Sequence, residues 1–320
     1  MAQLVTIGIT AFNAVPTIER AVRSALAQSW RPIEILVMDD CSSDATPEIL
    51  ASLAAKHPEI RLFRSETNRG LSAGLNQILA EARGEFVAFF DDDDESLPER
   101  IDAQRTRILD YEREFAKGAP VICHTARLQL YPDGSQRIVP TMGEHEGQPA
   151  PSGPPVAERT LLGKRLKHGY GACASCSQMA RPSTYDVVGG FDPALRRSLD
   201  TDFNIRLAMA GAHFVGIARP LVVQSMTKSS EKTLSEEYRY ALVMMHKHRE
   251  FMDQVGEYEF CLRWLHAKQS WLEGRLGSFA RIVASLAFSH PVLTANRVAL
   301  AIPNLGLNRA FSRFHLRGGE

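Results

Sequence analysis

The chain has 320 residues, 44% of them hydrophobic and 23% charged, enough to build a sizeable core and too apolar for a disordered or collagen-like polypeptide. Its 37 basic and 37 acidic side chains cancel, so net charge gives no support to a nucleic-acid partner or any other general polyanion. The first residues lack the basic and apolar regions of a secretory signal, and there is no run of about 18 apolar residues, so a cytoplasmic chain that does not span a membrane is expected.

Residues 4–10 are β-branched and apolar and predict a buried strand. A helix opens near Pro16 and Thr17 and carries Ile18, Val22, Ala25 and Leu26 at helical spacing. Residues 33–38 predict a second strand, stopped by the turn and capping residues 39–44. A helix over 45–56, a strand over 60–63, a loop at Asn68-Arg69-Gly70, a helix over 71–83 and a strand over 86–90 follow, and the last strand runs straight into four aspartates. This alternation predicts a parallel, doubly wound sheet, in which ligands bind beyond the carboxyl ends of the strands. Three polar clusters sit at such ends: Thr10 to Asn13, Asp39 to Asp44, and Asp91 to Asp94.

Beyond a helix near 98–116, segments 121–131 and 135–139 read as two strands joined by the turn residues Pro132-Asp133-Gly134. Residues 140–157 read as a Pro/Gly-rich loop. Helices are predicted near 181–187 and 200–210, on either side of a Gly189-Gly190 break, then strands over 213–217 and 220–225, and helix almost throughout from 233. The five cysteines, Cys41, Cys123, Cys173, Cys176 and Cys261, are odd in number and scattered. Cys173 and Cys176 form a C-x-x-C, but no second ligand pair at zinc spacing and no thioredoxin-like context accompanies it, so these read as buried structural thiols.

The aspartate run is the strongest chemical signal. Four adjacent carboxylates repel one another unless a cation or hydrogen-bond donors compensate, and hard oxygen ligands in a cleft suit Mg²⁺ or Mn²⁺ with substrate phosphates as co-ligands. The plain alternative is a solvated acidic turn. Asp40, at a strand end opposite Thr10 and Phe12, has the chemistry to accept a hydrogen bond from a base imide such as that of uracil, with an aromatic ring nearby for apolar contact; helix capping by Asp39, Ser42 or Ser43 is the bland reading of the same cluster. Arg69 has the reach for a phosphate or base, with Gly70 allowing close backbone approach. Either Asp200 or Asp202 suits a general base, unless both simply favour a helix N-terminus. Glycine-rich dinucleotide, P-loop and nucleophile-elbow motifs are absent, which removes oxidoreductase, P-loop NTPase and α/β-hydrolase readings.

Taken in order, Val5-Thr6-Ile7 to Asn13, Ser24 to Trp30, Glu34 to Asp44, Asn68-Arg69-Gly70 with Ala73 and Asn76, Ala82 to Glu85, the aspartate run with Pro98, and Gly189-Gly190-Phe191-Asp192 resemble the inverting glycosyltransferase family 2 over roughly residues 4–225. The resemblance implies an α/β GT-A fold, a Rossmann-like, mostly parallel sheet with flanking helices, followed here by a helical C-terminal extension. It implies a nucleotide-sugar half over 1–117, an acceptor half over 118–230 and the extension over 231–320. Asp40 then matches the base-binding aspartate, with Thr10 and Phe12 in the same pocket and Arg69 beside the nucleotide. Asp91 and Asp93 match the two acids of the D-x-D signature for Mn²⁺ or Mg²⁺, Asp93 as the direct metal ligand and Asp91 or Asp92 as holding the ribose or supporting the metal, and Asp200 matches the general base. The implied partners are a nucleotide-sugar donor, with UDP expected from Asp40, and a saccharide or lipid-linked saccharide acceptor.

Some residues depart from the family. Leu199 stands where a Glu precedes the base, Thr227 stands near the place of a His, and the Q-x-x-R-W of processive members is missing, which points to transfer of a single sugar. A non-catalytic nucleotide-sugar-binding scaffold and a sugar-phosphate nucleotidyltransferase are the alternatives; the latter lacks its Gly/Arg/Lys-rich loop after the first strand. The tail from Gly274 carries Arg275, Arg281, Arg297, Arg309, Arg313 and Arg317 against the single acid Glu320. With Phe279, Ile282, Val283 and Leu286 on one helical face, it reads either as a peripheral contact with the inner, anionic membrane surface or as packing on the catalytic domain or a second copy.

Overall fold

The structure, a computed structural model, describes residues 3–226 and 234–301. The first 91 residues follow the predicted alternation: β1 (Val5–Ala11), α1 (Ile18–Leu26), β2 (Ile33–Asp39), α2 (Thr46–Ala54), β3 (Ile60–Arg64), α3 (Leu71–Glu81) and β4 (Phe86–Asp91). These strands lie parallel in the order β3-β2-β1-β4. The chain therefore reverses its winding direction at β1, the switch point at which open α/β sheets bind ligands. Both faces of β1 are buried: Val5, Ile7, Ile9 and Ala11 form the apolar one, and Thr6 and Gly8 lie on the other, Gly8 against Ile78 of α3. Ile7, Ile9, Val37, Ala88 and Phe90 pack with Ile18 and Val22 of α1 in one core layer.

Beyond Asp91 the sheet becomes mixed. β5 (Asp94–Ser96) leaves the acidic turn at once, and α4 (Arg100–Tyr111) then leads to β6 (Val121–Leu130) and β7 (Gln136–Val139), which pair antiparallel as the turn residues between them predict. After α5 (Pro154–Leu162) come β8 (Gln178–Ala180), α6 (Pro182–Asp186), α7 (Leu199–Met209) and β9 (His213–Ser225). The sheet runs β3-β2-β1-β4-β8-β6-β9-β5, with β8 antiparallel to both β4 and β6 and β9 parallel to β6. Three details differ from the sequence expectations. Residues 154–162 are helical because Pro154 and Pro155 occupy the first helical turn, where a missing N–H costs nothing. Residues 213–225 are one strand; Pro220 is accommodated at a register shift opposite Thr125 and Ala126. The three-residue strands β5 and β8 carry too little periodicity to be read from sequence.

Two compact units divide the chain: 1–157 with 165–226, and 158–164 with 227–320. In the second, α8 (Leu234–Lys247), α9 (Arg249–Gln254), α10 (Tyr258–Leu272), α11 (Leu276–Ser289) and α12 (Pro291–Ala301) share a core of Leu162, Met252, Tyr258, Phe260, Cys261 and Leu286. The apolar face of α11 is spent on this core: Leu286 is fully buried, Ile282 packs beside it, and the Phe279 ring lies 5.1 Å from that of Trp271. The remaining apolar and basic residues of the tail, from Ile302 on, and Thr227 lie outside the described residues. No helix among the described residues is long and apolar enough to cross a membrane.

Candidate active site

The register of the parallel strands assembles the site. Thr10 lies beside Asp91 across the β1–β4 pair, and Ala11 beside Asp39 across β1–β2, so three strand ends deliver Thr10, Asp40 and the aspartate run to one crevice. Asp40 is 6% exposed, and its two carboxylate oxygens accept the backbone N–H groups of Arg69 (2.8 Å) and Gly70 (2.7 Å). It thereby anchors the loop that precedes α3. Gly70 takes φ +84°, a left-handed conformation that favours glycine. The Arg69 side chain is exposed. Asp39 instead pairs with Arg64 at 3.0 Å and caps Ser42, the structural role expected for one of the two aspartates.

The end of β1 is tied to the acidic turn: the Phe12 N–H donates to Asp92 Oδ2 at 3.1 Å, while the Phe12 ring is 48% exposed. Burial and the charges of Asp93 and Asp91 push Asp92 up to about 7 against the lowering effect of the Phe12 N–H. Burial, then the neighbouring Asp93, likewise raises Asp91. The backbone carbonyl of Asp93 accepts from Arg20 at 2.9 Å. Asp94 is 4% exposed, and neither of its oxygens accepts a hydrogen bond of normal geometry among the described residues; burial and then Asp91 raise its pKa strongly.

Asp200 lies in the first turn of α7, its Oδ1 2.7 Å from the Thr201 N–H, and burial raises its pKa. Its charge is felt at Asp91. Asp202 is fully buried and locked to Arg206 at 2.7 Å, an ion pair that Asp200 does not share. The position of α7 is set by the segment before it. Arg206 also binds the carbonyls of Val188 and Gly190, and Asn76 of α3 exchanges two hydrogen bonds with Phe191, at 2.7 and 2.8 Å. Gly190 is required there: φ is +72°, and a Cβ would meet Asn76 Oδ1 at 2.5 Å. Phe191 then stacks on Phe203 with ring centroids 4.7 Å apart.

Four residues of the site were not singled out from sequence. Arg100, fully buried, supports the acidic turn by binding Phe89 O and Ser96 Oγ. Arg127 of β6, 9% exposed, places Nη1 3.1 Å from Gln224 and 3.9 Å from Cys176 Sγ, and its charge lowers Asp91, Asp94 and Asp200. A guanidinium inside an apolar strand is the signal that marks it. Asp94 and Cys176 are the other two: one ligand atom each from Asp91, Asp94 and Cys176 lies within 4.8 Å of the others. Buried carboxylate oxygens without donors, gathered at one point, fit a divalent cation. A separate cleft of about 530 Å³, lined by Glu99, Asp102, Arg107, Tyr111 and Arg219 among others, contains none of these acids. The crevice therefore offers charge compensation for an anionic group next to a desolvated carboxylate able to take a proton.

Comparison with known proteins agrees with this arrangement. The sequence profile described as glycosyl transferase family 2 matches residues 6–183, more than half of the chain. The succinoglycan biosynthesis protein ExoO of Rhizobium meliloti (strain 1021) is 41% identical over 117 residues, 37% of this chain and 31% of its own length; the chain spans about a third of the length of the first curated relatives it matches. Among solved structures, S. aureus TarS 1–349 in complex with UDP-GlcNAc superposes with a TM-score of 0.53 at 15% identity, over 92% of this chain and 87% of that one. The mannosyltransferase PcManGT from Pyrobaculum calidifontis, in complex with GDP-Man and Mn²⁺, gives 0.56 at 17% identity over 98% and 84%. At these identities the two structures speak for the fold alone, and with the profile they are decisive: the chain belongs to glycosyl transferase family 2.

Proposed function

We propose that the protein is a metal-dependent, inverting glycosyltransferase that moves a single sugar from a UDP-sugar to an acceptor hydroxyl in polysaccharide or lipid-linked oligosaccharide synthesis. The observation that carries the reading is the convergence of Asp40, the Asp91–Asp94 turn and Asp200 at the carboxyl ends of β1, β2 and β4 in a family 2 chain. The names of similar proteins support the synthetic context, and the two solved structures bind UDP- and GDP-sugars respectively. Asp40 favours UDP here: its oxygens, already ordered by two amides, retain acceptor capacity for a base imide. Residues 1–117 would then hold the donor, 118–230 the acceptor, and 231–320 form the extension.

Asp91 and Asp93 would hold Mn²⁺ or Mg²⁺, which supplies charge neutralisation at the departing diphosphate when bound. Thr10, Phe12 and Arg69 would line the nucleotide, and Asp92 would hold the ribose. Asp200 takes the proton of the acceptor hydroxyl while that oxygen attacks the anomeric carbon from the face opposite the leaving group, so one displacement turns an α-linked donor into a β-glycoside. Leu199, 5% exposed, gives Asp200 no polar help. The raised pKa of Asp200 serves instead, because a base works best near the operating pH. Arg127, whose charge lowers Asp91, Asp94 and Asp200, is a fixed positive charge beside the acids.

The test is a panel of UDP-, GDP- and dTDP-sugars with saccharide acceptors, reading nucleotide release and the product's anomeric configuration. UDP release with a β-linked product is expected. Binding of a nucleotide sugar with no release on any acceptor would favour the scaffold reading, and an α-linked product from an α-donor would overturn the single displacement.

A further inference from the structure

Asp94 poses a problem that the aspartate signature alone does not solve. It begins β5, whose pairing with β9 fixes it opposite Gln224. It is buried, and neither carboxylate oxygen accepts a hydrogen bond of normal geometry among the described residues; the Cys176 thiol is the hydrogen-bond donor close enough to lower its pKa. Beside it is Cys176, 2% exposed, in the short turn Ser175–Ser177 that leads into β8. Pairing of β8 with β4, Met179 opposite Ala88, brings that turn to the strand that ends in Asp91. Ligand atoms of Asp91, Asp94 and Cys176 all lie within 4.8 Å of one another. Around one tetrahedral, zinc-sized ion a sulfur and an oxygen donor stand roughly 3.6 Å apart, so the side chains have to close by up to about 1 Å for all three to touch a single ion. Two fixed guanidinium groups border the cluster: Arg127, with Nη1 3.9 Å from the sulfur, and Arg100, held by Phe89 O and Ser96 Oγ. Three anionic donors, two guanidinium groups and one divalent ion leave a small net charge, which a buried site requires.

We propose that the cation of the active site is gripped from its buried side by Asp94 and the Cys176 sulfur together with Asp91, forming a mixed oxygen–sulfur site that prefers Mn²⁺, Co²⁺, Zn²⁺ or Cd²⁺ to Mg²⁺. This rests on the reading that Asp91 and Asp93 bind a cation. Thiolate is a soft ligand that Mg²⁺ accepts poorly, whereas the later divalent ions accept it readily. Cys176 must ligate as thiolate, so metal binding releases its proton to solvent. The C-x-x-C spacing concealed this role, because the sulfur's partners come from the ends of β4 and β5 and not from a second cysteine pair.

The experiment titrates Co²⁺ into the metal-free full-length protein and follows the thiolate-to-cobalt charge-transfer band in the near ultraviolet, with Co²⁺ and Mg²⁺ affinities from calorimetry. Wild type and Cys173→Ser should both develop the band. Cys176→Ser should lose it, bind Co²⁺ at least about tenfold more weakly, the scale on which even partners of metal ligands act, and lose its preference for Co²⁺ over Mg²⁺ by the same factor. Cadmium NMR of wild type reads sulfur ligation without any variant, should Cys176→Ser fail to fold. Co²⁺ bound without the band, or a cadmium signal typical of oxygen ligands alone, overturns the sulfur ligand and leaves the cation reading standing. No binding of any of these ions overturns both.

Discussion

Asp40 Oδ2 accepts the backbone N–H of Gly70 at 2.7 Å, and its Oδ1 accepts that of Arg69 at 2.8 Å. A strand-end acid thus fixes the loop that carries the exposed Arg69. Asp40→Ala leaves two N–H groups without their acceptor, at a cost of about 1–3 kcal/mol each where buried. It should lower the melting temperature and abolish UDP binding. Asp40→Asn keeps one acceptor oxygen and should fall between. UDP affinity unchanged in both variants would mean that Asp40 serves the loop alone.

Asp200→Asn retains the oxygen that accepts the Thr201 N–H, so fold and donor binding should survive. Turnover should drop by about 10² to 10⁴, the usual scale of general-base catalysis. Calorimetry and nucleotide release on the same sample separate the two effects.

The acids of the turn set a pH dependence in the metal-free protein. Asp92 is held at about 7, Asp91 is raised by burial and then by the charge of Asp93, and Asp94 by burial and then by the charges of Asp91 and Asp93, all above the ordinary carboxylate value of 3.8. On the part of these acids the folded state binds more protons than the unfolded state between about 4 and about 7, so their contribution to stability falls as pH rises through that window, opposed below 6.5 by His124, which burial holds down at about 3. Melting temperature in a chelator should decline from mildly acidic to neutral pH, and the gain on adding Mn²⁺ should grow with pH as protons cease to compete. A chelated protein that becomes more stable over the same window would contradict these protonation states.

Asn76→Ala removes both hydrogen bonds to Phe191 and should cost roughly 2 kcal/mol or more. Because that contact leads to Gly190 and α7, it should reduce turnover more than donor affinity. Equal losses in both would show that α3 serves the donor site directly.

Much of this was legible in the sequence. β1 to β4 are apolar runs whose polar ends mark the crevice, and their order follows from the helices between them. Asp40, the aspartate turn and Asp200 stand out as carboxylates at strand or helix ends. Asp94 did not separate from its neighbours, because only the pairing of β5 with β9 buries it. Arg127 carries no signal beyond its place in an apolar strand, and Cys176 reads as a structural thiol; both gain their place only because β8 enters the sheet between β4 and β6. Contacts of that kind depend on strands three residues long, which leave no period in the sequence.

The most direct measurement is UDP binding by calorimetry, on wild type and Asp93→Ala, with Mn²⁺ and with a chelator. Wild type should bind UDP tightly only with Mn²⁺, and Asp93→Ala should bind it weakly under both conditions while melting like wild type. Equal UDP affinity in all four measurements, or no binding by wild type with Mn²⁺, would contradict a cation-dependent nucleotide-sugar site at the aspartate turn.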